Sequence, residues 1–270
     1  MAEFPRYAIL GNGRWGAIMR SILRGEDRRA EIIAGARQDH AETIDAYRTR
    51  ISASLKSSGA QVAWLCVPPG SHICAMVEAA LLAGLHVVVE KPWMASSEDT
   101  AALTKLAQAH HKKVAVHFEY CFLNEIESWR RQYRQGTDQP RNAETFGGTF
   151  IIDRPGPASM TPLQNLGCHL LAMRNYAVPH FGLSEIACGY ENSNRRSVWL
   201  QRGNNRFSAI NFLDSKEPII QRFVSGFENA LNGAEFRFDL EFALQVAKDV
   251  AALEAQGPPE SNSRNPGRKN

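Results

Sequence analysis

With 270 residues, 44% hydrophobic and 22% charged, the chain is long enough for one large domain or two moderate ones, and its composition excludes a fibre, a disulfide scaffold and a disordered regulator. The net charge of +3, from 31 basic and 28 acidic residues, is too small and too dispersed for a nucleic-acid face, and part of it sits at Arg264, Arg268 and Lys269. No stretch approaches the roughly 18 apolar residues of a membrane span and no signal-peptide pattern is present, while five cysteines (Cys66, Cys74, Cys121, Cys168, Cys188) without C-x-x-C spacing read as buried thiols in a reducing cytoplasm.

The first 120 residues alternate strand and helix. Tyr7–Leu10 reads as a strand, Arg14–Leu23 as a helix, Glu31–Ala36 as a second strand and His40–Tyr47 as a short helix. Val62–Val67 is an apolar third strand. The helix Ser71–Ala83 follows, with Ile73, Met76, Val77, Ala80 and Leu81 at helical spacing and Gly84 at its end. His86–Glu90 is a Val-rich strand, Ser96 opens a helix with Asp99 three residues on, and Lys113–Phe118 is a further strand. This alternation predicts parallel strands with crossover helices, a Rossmann doubly wound sheet over residues 1–120.

Residues 121–256 predict a smaller α+β domain with a mostly antiparallel sheet. Its elements are a helix Asn124–Arg134, a linker Gly136–Pro140, a strand Phe146–Ile152 and a helix Thr161–Tyr176 with Pro162 in its first turn. Three strands expected to be antiparallel follow (Ser184–Tyr190, Ser197–Gln201, Phe207–Phe212), then helices Pro218–Leu231 and Leu240–Leu253. The polar tail Gly257–Asn270 is expected to be disordered.

Gly11-Asn12-Gly13-Arg14-Trp15-Gly16 is G-x-G-x-x-G, set between a predicted strand and a predicted helix. Gly11 permits the tight turn, Gly13 lets the backbone approach a pyrophosphate, and Gly16 lets helix pack on strand. The free N–H groups and dipole of the helix start favour that anion. This points to a nicotinamide dinucleotide. About 20 positions past such a turn, an acidic residue reads the ribose of NAD, whereas an arginine suits the 2′-phosphate of NADP. Here the second strand ends Gly35-Ala36-Arg37, so Arg37 predicts NADP; the alternative is that Asp39 reads the ribose and NAD is the cofactor.

Two further stretches lie at the carboxyl ends of predicted strands, where open α/β sheets place ligands. They are Cys66-Val67-Pro68-Pro69-Gly70-Ser71-His72 and Glu90-Lys91-Pro92-Trp93. Together with the glycine turn they resemble the Gfo/Idh/MocA oxidoreductase family, closely over the first 120 residues and weakly beyond, with a shortened C-terminal domain. The resemblance implies that Lys91 is catalytic beside the nicotinamide. A lysine there can donate a hydrogen bond to the substrate oxygen and help carry its proton. Glu90 could orient or balance it, and His72, Cys66, Val67 and Pro68 would lie on the cofactor side.

The family's Asp-x-Gly-x-His segment corresponds to Asn165-Leu166-Gly167-Cys168-His169, so Gly167 and His169 match and Asn165 replaces the acid. His169 can act as acid or base; Asn165 can hydrogen-bond but cannot take up a proton. That departure favours reduction of a ketone or imine over simple alcohol oxidation. Tyr120, Asp153 and Arg154 are weaker candidates. His110 and His111 read as a solvated helix end, and no metal is expected. The expected activity is NADP-dependent hydride transfer at a carbohydrate-like hydroxyl or carbonyl carbon of a small molecule. Imine reduction and a catalytically silent cofactor sensor or scaffold are the alternatives. The resemblance implies that the second domain, residues 121–256, forms the substrate wall and an oligomer face, and its brevity beside the family pattern suggests a homodimer.

Overall fold

The computed structural model of the protein describes residues 4–24, 30–33, 39, 41–70, 72–134 and 144–256. Arg37, the Gly136–Pro140 linker and the Gly257–Asn270 tail, each with an expectation attached, lie outside them.

Five parallel strands form the first sheet: β1 (Tyr7–Leu10), β2 (Ala30–Ile33), β3 (Val62–Leu65), β4 (His86–Glu90) and β5 (Val114–His117). Their order is β2-β1-β3-β4-β5, the doubly wound arrangement. Every residue of β1, β3 and β5 is buried, which is why these strands read as continuous apolar runs rather than alternating ones. Helices α1 (Arg14–Arg24), α2 (Ile44–Ser58), α3 (His72–Leu82) and α4 (Ser97–Ala109) make the crossovers.

α2 corrects the expected short helix His40–Tyr47. It starts later, where the Thr43 hydroxyl accepts from Ala46 N at 3.2 Å, and runs on to Gly59, which takes the left-handed conformation at φ 62°. Its buried residues are only Tyr47, Ile51 and Leu55, one stripe at four-residue spacing inside a polar run.

The second sheet holds β6 (Glu144–Ile152), β7 (Gly182–Tyr190), β8 (Arg195–Arg202) and β9 (Asn205–Asn211) in the order β7-β6-β8-β9. β8 is antiparallel to both β6 and β9, as expected, but β7 runs parallel to β6. The reason is the helix between them: α6 (Cys168–Ala177) carries the chain back along the sheet, so β6, α6 and β7 make a crossover unit. That helix is also not the uniform one expected from Thr161. Leu163–Gly167 is a π-helical turn, packed so that a Cβ on Gly167 would overlap the Leu163 side chain.

A 3-10 turn (Glu119–Phe122) and α5 (Asn124–Arg134) link the two sheets. The last helices, α7 (Ile219–Leu231) and α8 (Leu240–Ala255), return to the first sheet. Phe238 O accepts from Val116 N at 2.7 Å, the Phe223 ring lies 4.5 Å from that of His117, and Tyr7 donates its hydroxyl to Glu228 at 2.8 Å. One hydrophobic core therefore runs through both sheets. No helix among the described residues is long and apolar enough to cross a membrane.

Candidate active site

The glycine turn occupies the point where the chain leaves β1 in one direction and β3 in the other. Cys66 N donates to Leu10 O at 2.8 Å, holding the two strand ends together. Gly11 has φ 120°, and a Cβ there would overlap Cys66 O; a Cβ on Gly16 would overlap Gly11 O. At Gly13 a Cβ would meet nothing within 4 Å. Two glycines thus serve internal packing, while the third leaves open space in front of the first turn of α1, whose N–H groups have no partner further back in the helix. This fits a dinucleotide pyrophosphate: backbone donors, a helix start and room for close approach.

Gly13, Arg14 and Trp15, with Cys66, Val67 and Pro68, line one wall of a cavity of about 810 Å³. The opposite wall comes from the second sheet and α6, through Phe150, Arg154, Arg196 and His169. Glu90, Lys91, Glu119 and Tyr120 lie between them. Of the other expected residues, Gly11 and Gly16 support the turn from behind, and Asn12 is exposed on it. His72 starts α3, half-buried and outside the cavity lining. Burial, with Glu90 nearby, pushes the Cys66 thiol up.

Lys91, one residue past β4, reaches across to the other half of the molecule. Its Nζ donates to Asn165 O at 2.8 Å and to Asn165 Oδ1 at 3.0 Å. The same amide donates through Nδ2 to the Tyr190 hydroxyl at 2.6 Å, which fixes its orientation. An ammonium has three donors, so one remains for a ligand. The π-helical turn holds Asn165 here, and α6 follows with His169 in its first turn.

The expectation that Glu90 balances Lys91 is corrected. Glu90 stands opposite His117 in the β4–β5 register; its Oε1 lies 3.1 Å from His117 Nδ1 and accepts from Trp64 Nε1 at 2.8 Å. Burial is the largest influence on both groups and disfavours charge on each, but their mutual attraction, together with the indole donors on Glu90 and the Glu119 charge near His117, outweighs it. Glu90 is held below the usual carboxylate range and His117 above the usual imidazole range.

His169 is fully enclosed, and burial, with Lys91, His117 and Arg196 nearby, pushes its pKa well down, so it is neutral. The Tyr120 ring meets it edge-on at 4.8 Å. The Tyr120 hydroxyl accepts from Arg196 Nη1 at 3.1 Å, and burial raises its pKa to about 12. Asp153 and Arg154 line the cavity from exposed positions after β6. Sequence reasoning passed over Glu119, His117, Tyr190 and Arg196. Glu119 had a signal: an acid inside the apolar run after β5, at a strand's carboxyl end.

A doubly wound sheet with a glycine cradle at its switch point, and a lysine and a histidine lining one cleft, is the arrangement of the dinucleotide-dependent oxidoreductases. Residues 6–118 match the profile described as GFO_IDH_MocA, the oxidoreductase family, NAD-binding Rossmann fold. No curated protein matches the chain in sequence. Among solved structures it is similar to UDP-N-acetylglucosamine 3-dehydrogenase GnnA from Acidithiobacillus ferrooxidans, at 16% identity and a TM-score of 0.71, covering 93% of this chain and 97% of that one. It is also similar to an inositol dehydrogenase homolog from Azotobacter vinelandii complexed with NADH and myo-inositol, at 17% identity and a TM-score of 0.66, covering 93% and 94%. The WlbA (WbpB) dehydrogenase from Thermus thermophilus, in complex with NAD and UDP-GlcNAcA, matches at 13% identity and a TM-score of 0.66, covering 93% and 94%. At these identities the likeness is one of fold.

Proposed function

We propose that the protein is an NADP-dependent oxidoreductase acting at a carbohydrate-like hydroxyl or carbonyl carbon, with Lys91 assisting proton transfer. The observation that carries this reading is the Lys91 ammonium at the cavity, aimed by two hydrogen bonds to Asn165. The nicotinamide, when bound, supplies the hydride acceptor or donor. Gly13 and the first turn of α1 hold the pyrophosphate, with Arg14, Trp15, Cys66, Val67 and Pro68 along the cofactor side. Lys91 gives its remaining N–H to the substrate oxygen and stabilises the charge that develops there. Neutral His169 holds or gives up the proton of that oxygen. Asn165 acts on Lys91 by geometry rather than by charge.

A sugar-like substrate is supported by the similar structures, a UDP-N-acetylglucosamine 3-dehydrogenase and dehydrogenases complexed with myo-inositol and UDP-GlcNAcA. The preference for NADP rests on Arg37 and on the lack of an acid where the second strand ends. Oxidation of NADH and NADPH against a panel of keto-sugars and nucleotide keto-sugars tests both points. The expected result is turnover with a lower KM for NADPH, and a loss of about 10²- to 10⁴-fold in kcat for Lys91→Ala with cofactor affinity unchanged. A lower KM for NADH would end the NADP assignment, and a Lys91→Ala enzyme as fast as the wild type would end the lysine's role. The five free thiols fit a cytoplasmic protein. A homodimer is proposed on the small second sheet, whose edge strand β9 exposes Phe207; a monomeric mass by light scattering would refute it.

A further inference from the structure

Two buried polar atoms face each other at the centre of the cavity wall. Glu119 Oε2 and His169 Nδ1 are both shut off from water and neither has a hydrogen-bond partner. They are 4.0 Å apart. Leaving one buried polar atom unpaired costs about 1–3 kcal/mol. His117 Nε2 and Arg196 Nε nearby are buried without a partner as well, but it is Glu119 Oε2 and His169 Nδ1 that stand 4.0 Å apart across the two halves of the molecule. A closing movement of roughly 1 Å brings them to hydrogen-bond distance.

Two neighbours are committed elsewhere. The Asn165 amide is held between Lys91 and Tyr190. Tyr120 presents its ring to His169 and its hydroxyl to Arg196. The charged and titratable groups around the pair are Lys91, His117 and Arg196 on the His169 side, and His117, Glu90 and Lys91 on the Glu119 side. Glu119 comes from the turn after β5 and His169 from α6, so the two halves of the molecule each supply one member.

We infer that Glu119 is the positioning acid of His169, sharing one proton with Nδ1 and thereby setting the state of Nε2, the nitrogen left for the substrate oxygen. The inference rests on the oxidoreductase reading of the same cavity. When the substrate is oxidised, its hydroxyl proton passes to Nε2 while the Nδ1 proton passes to the Glu119 carboxylate, which becomes a carboxylic acid. The hydride goes to the nicotinamide, so the alcohol loses one proton and one hydride and becomes a carbonyl. Reduction runs the same transfers backwards. Burial raises the Glu119 pKa and, with the nearby cations, lowers that of His169, so the pair holds its proton as a neutral acid beside a neutral imidazole.

The expected behaviour has a distinct signature. As pH rises through the Glu119 pKa, His169 stays neutral but its proton moves from Nε2 to Nδ1. Long-range proton–nitrogen NMR on the full-length, histidine-labelled protein, saturated with dinucleotide and titrated from about pH 5 to 9, reads this directly. The wild type is expected to switch tautomer and Glu119→Gln to remain in one; Glu119→Asp, which keeps the carboxyl group, restores the switch. In turnover, the wild type gains oxidation rate as pH rises through the same pKa, and Glu119→Gln loses that limb. A wild-type His169 that keeps one tautomer throughout, or a switch that survives in Glu119→Gln, overturns the inference, and the wild-type titration alone decides if the variant does not fold. A protein that switches tautomer yet transfers no hydride would instead sink the functional reading and leave the pair standing.

Discussion

Asn165 accepts two N–H donors from Lys91 without offering it a counter-charge, so the ammonium is aimed but not neutralised. One position earlier than the lysine, Glu90 is spent on His117 inside the core. That pair makes stability depend on pH in a definable way. The folded pKa of His117 is raised, so its contribution is fully present below the unfolded value near 6.5 and is lost as pH rises through the folded value. Glu90, lowered, contributes above the unfolded value near 4.5 and loses its contribution as pH falls through its folded value. His117→Gln is expected to lower Tm most between these two values, with the gap to wild type shrinking towards alkaline pH; calorimetry at stepped pH checks it. Lys91 and His169 could be found in the chain because short motifs flank them. Glu119 could not be paired from sequence, because its partner stands in the other half of the chain and nothing local links them.

The glycine turn shows what one element asks of three identical residues. A side chain at Gly16 would strike the backbone of the same turn, whereas one at Gly13 would enter open space. Gly13→Ala is therefore expected to leave unfolding within about 0.5 kcal/mol of wild type while weakening dinucleotide binding at least about tenfold. Gly16→Ala should cost about 1–3 kcal/mol of stability. Urea unfolding paired with calorimetric binding separates the two outcomes. Strands β1 and β3 were readable because burial on both faces writes them as unbroken apolar runs. α2 was not, because three residues alone carry its buried stripe. The direction of β7 was hidden for another reason: the alternation of a strand says which side faces the core and nothing about which way its neighbour runs.

For the whole molecule, the return of α7 and α8 to the first sheet matters most. Phe223 is fully buried, its ring 4.5 Å from His117 and 6.0 Å from Trp64, so the dinucleotide-binding sheet takes part of its core from the far end of the chain. Phe223→Ala is expected to lower unfolding free energy by about 3–5 kcal/mol, in a single cooperative transition that carries both sheets with it. Two separate unfolding steps in denaturant, with the first sheet unaffected, would contradict that coupling. The periodicity of the chain's end located these helices, but no pattern within a helix names the surface it will cover.

The hydrogen bonds from Lys91 to Asn165 are also a latch. They fasten the end of β4 to the entrance of α6, and any parting of the jaws has to undo them. A gaping molecule would therefore carry a loose, unaimed side chain, and the reagent comes into register as the door shuts.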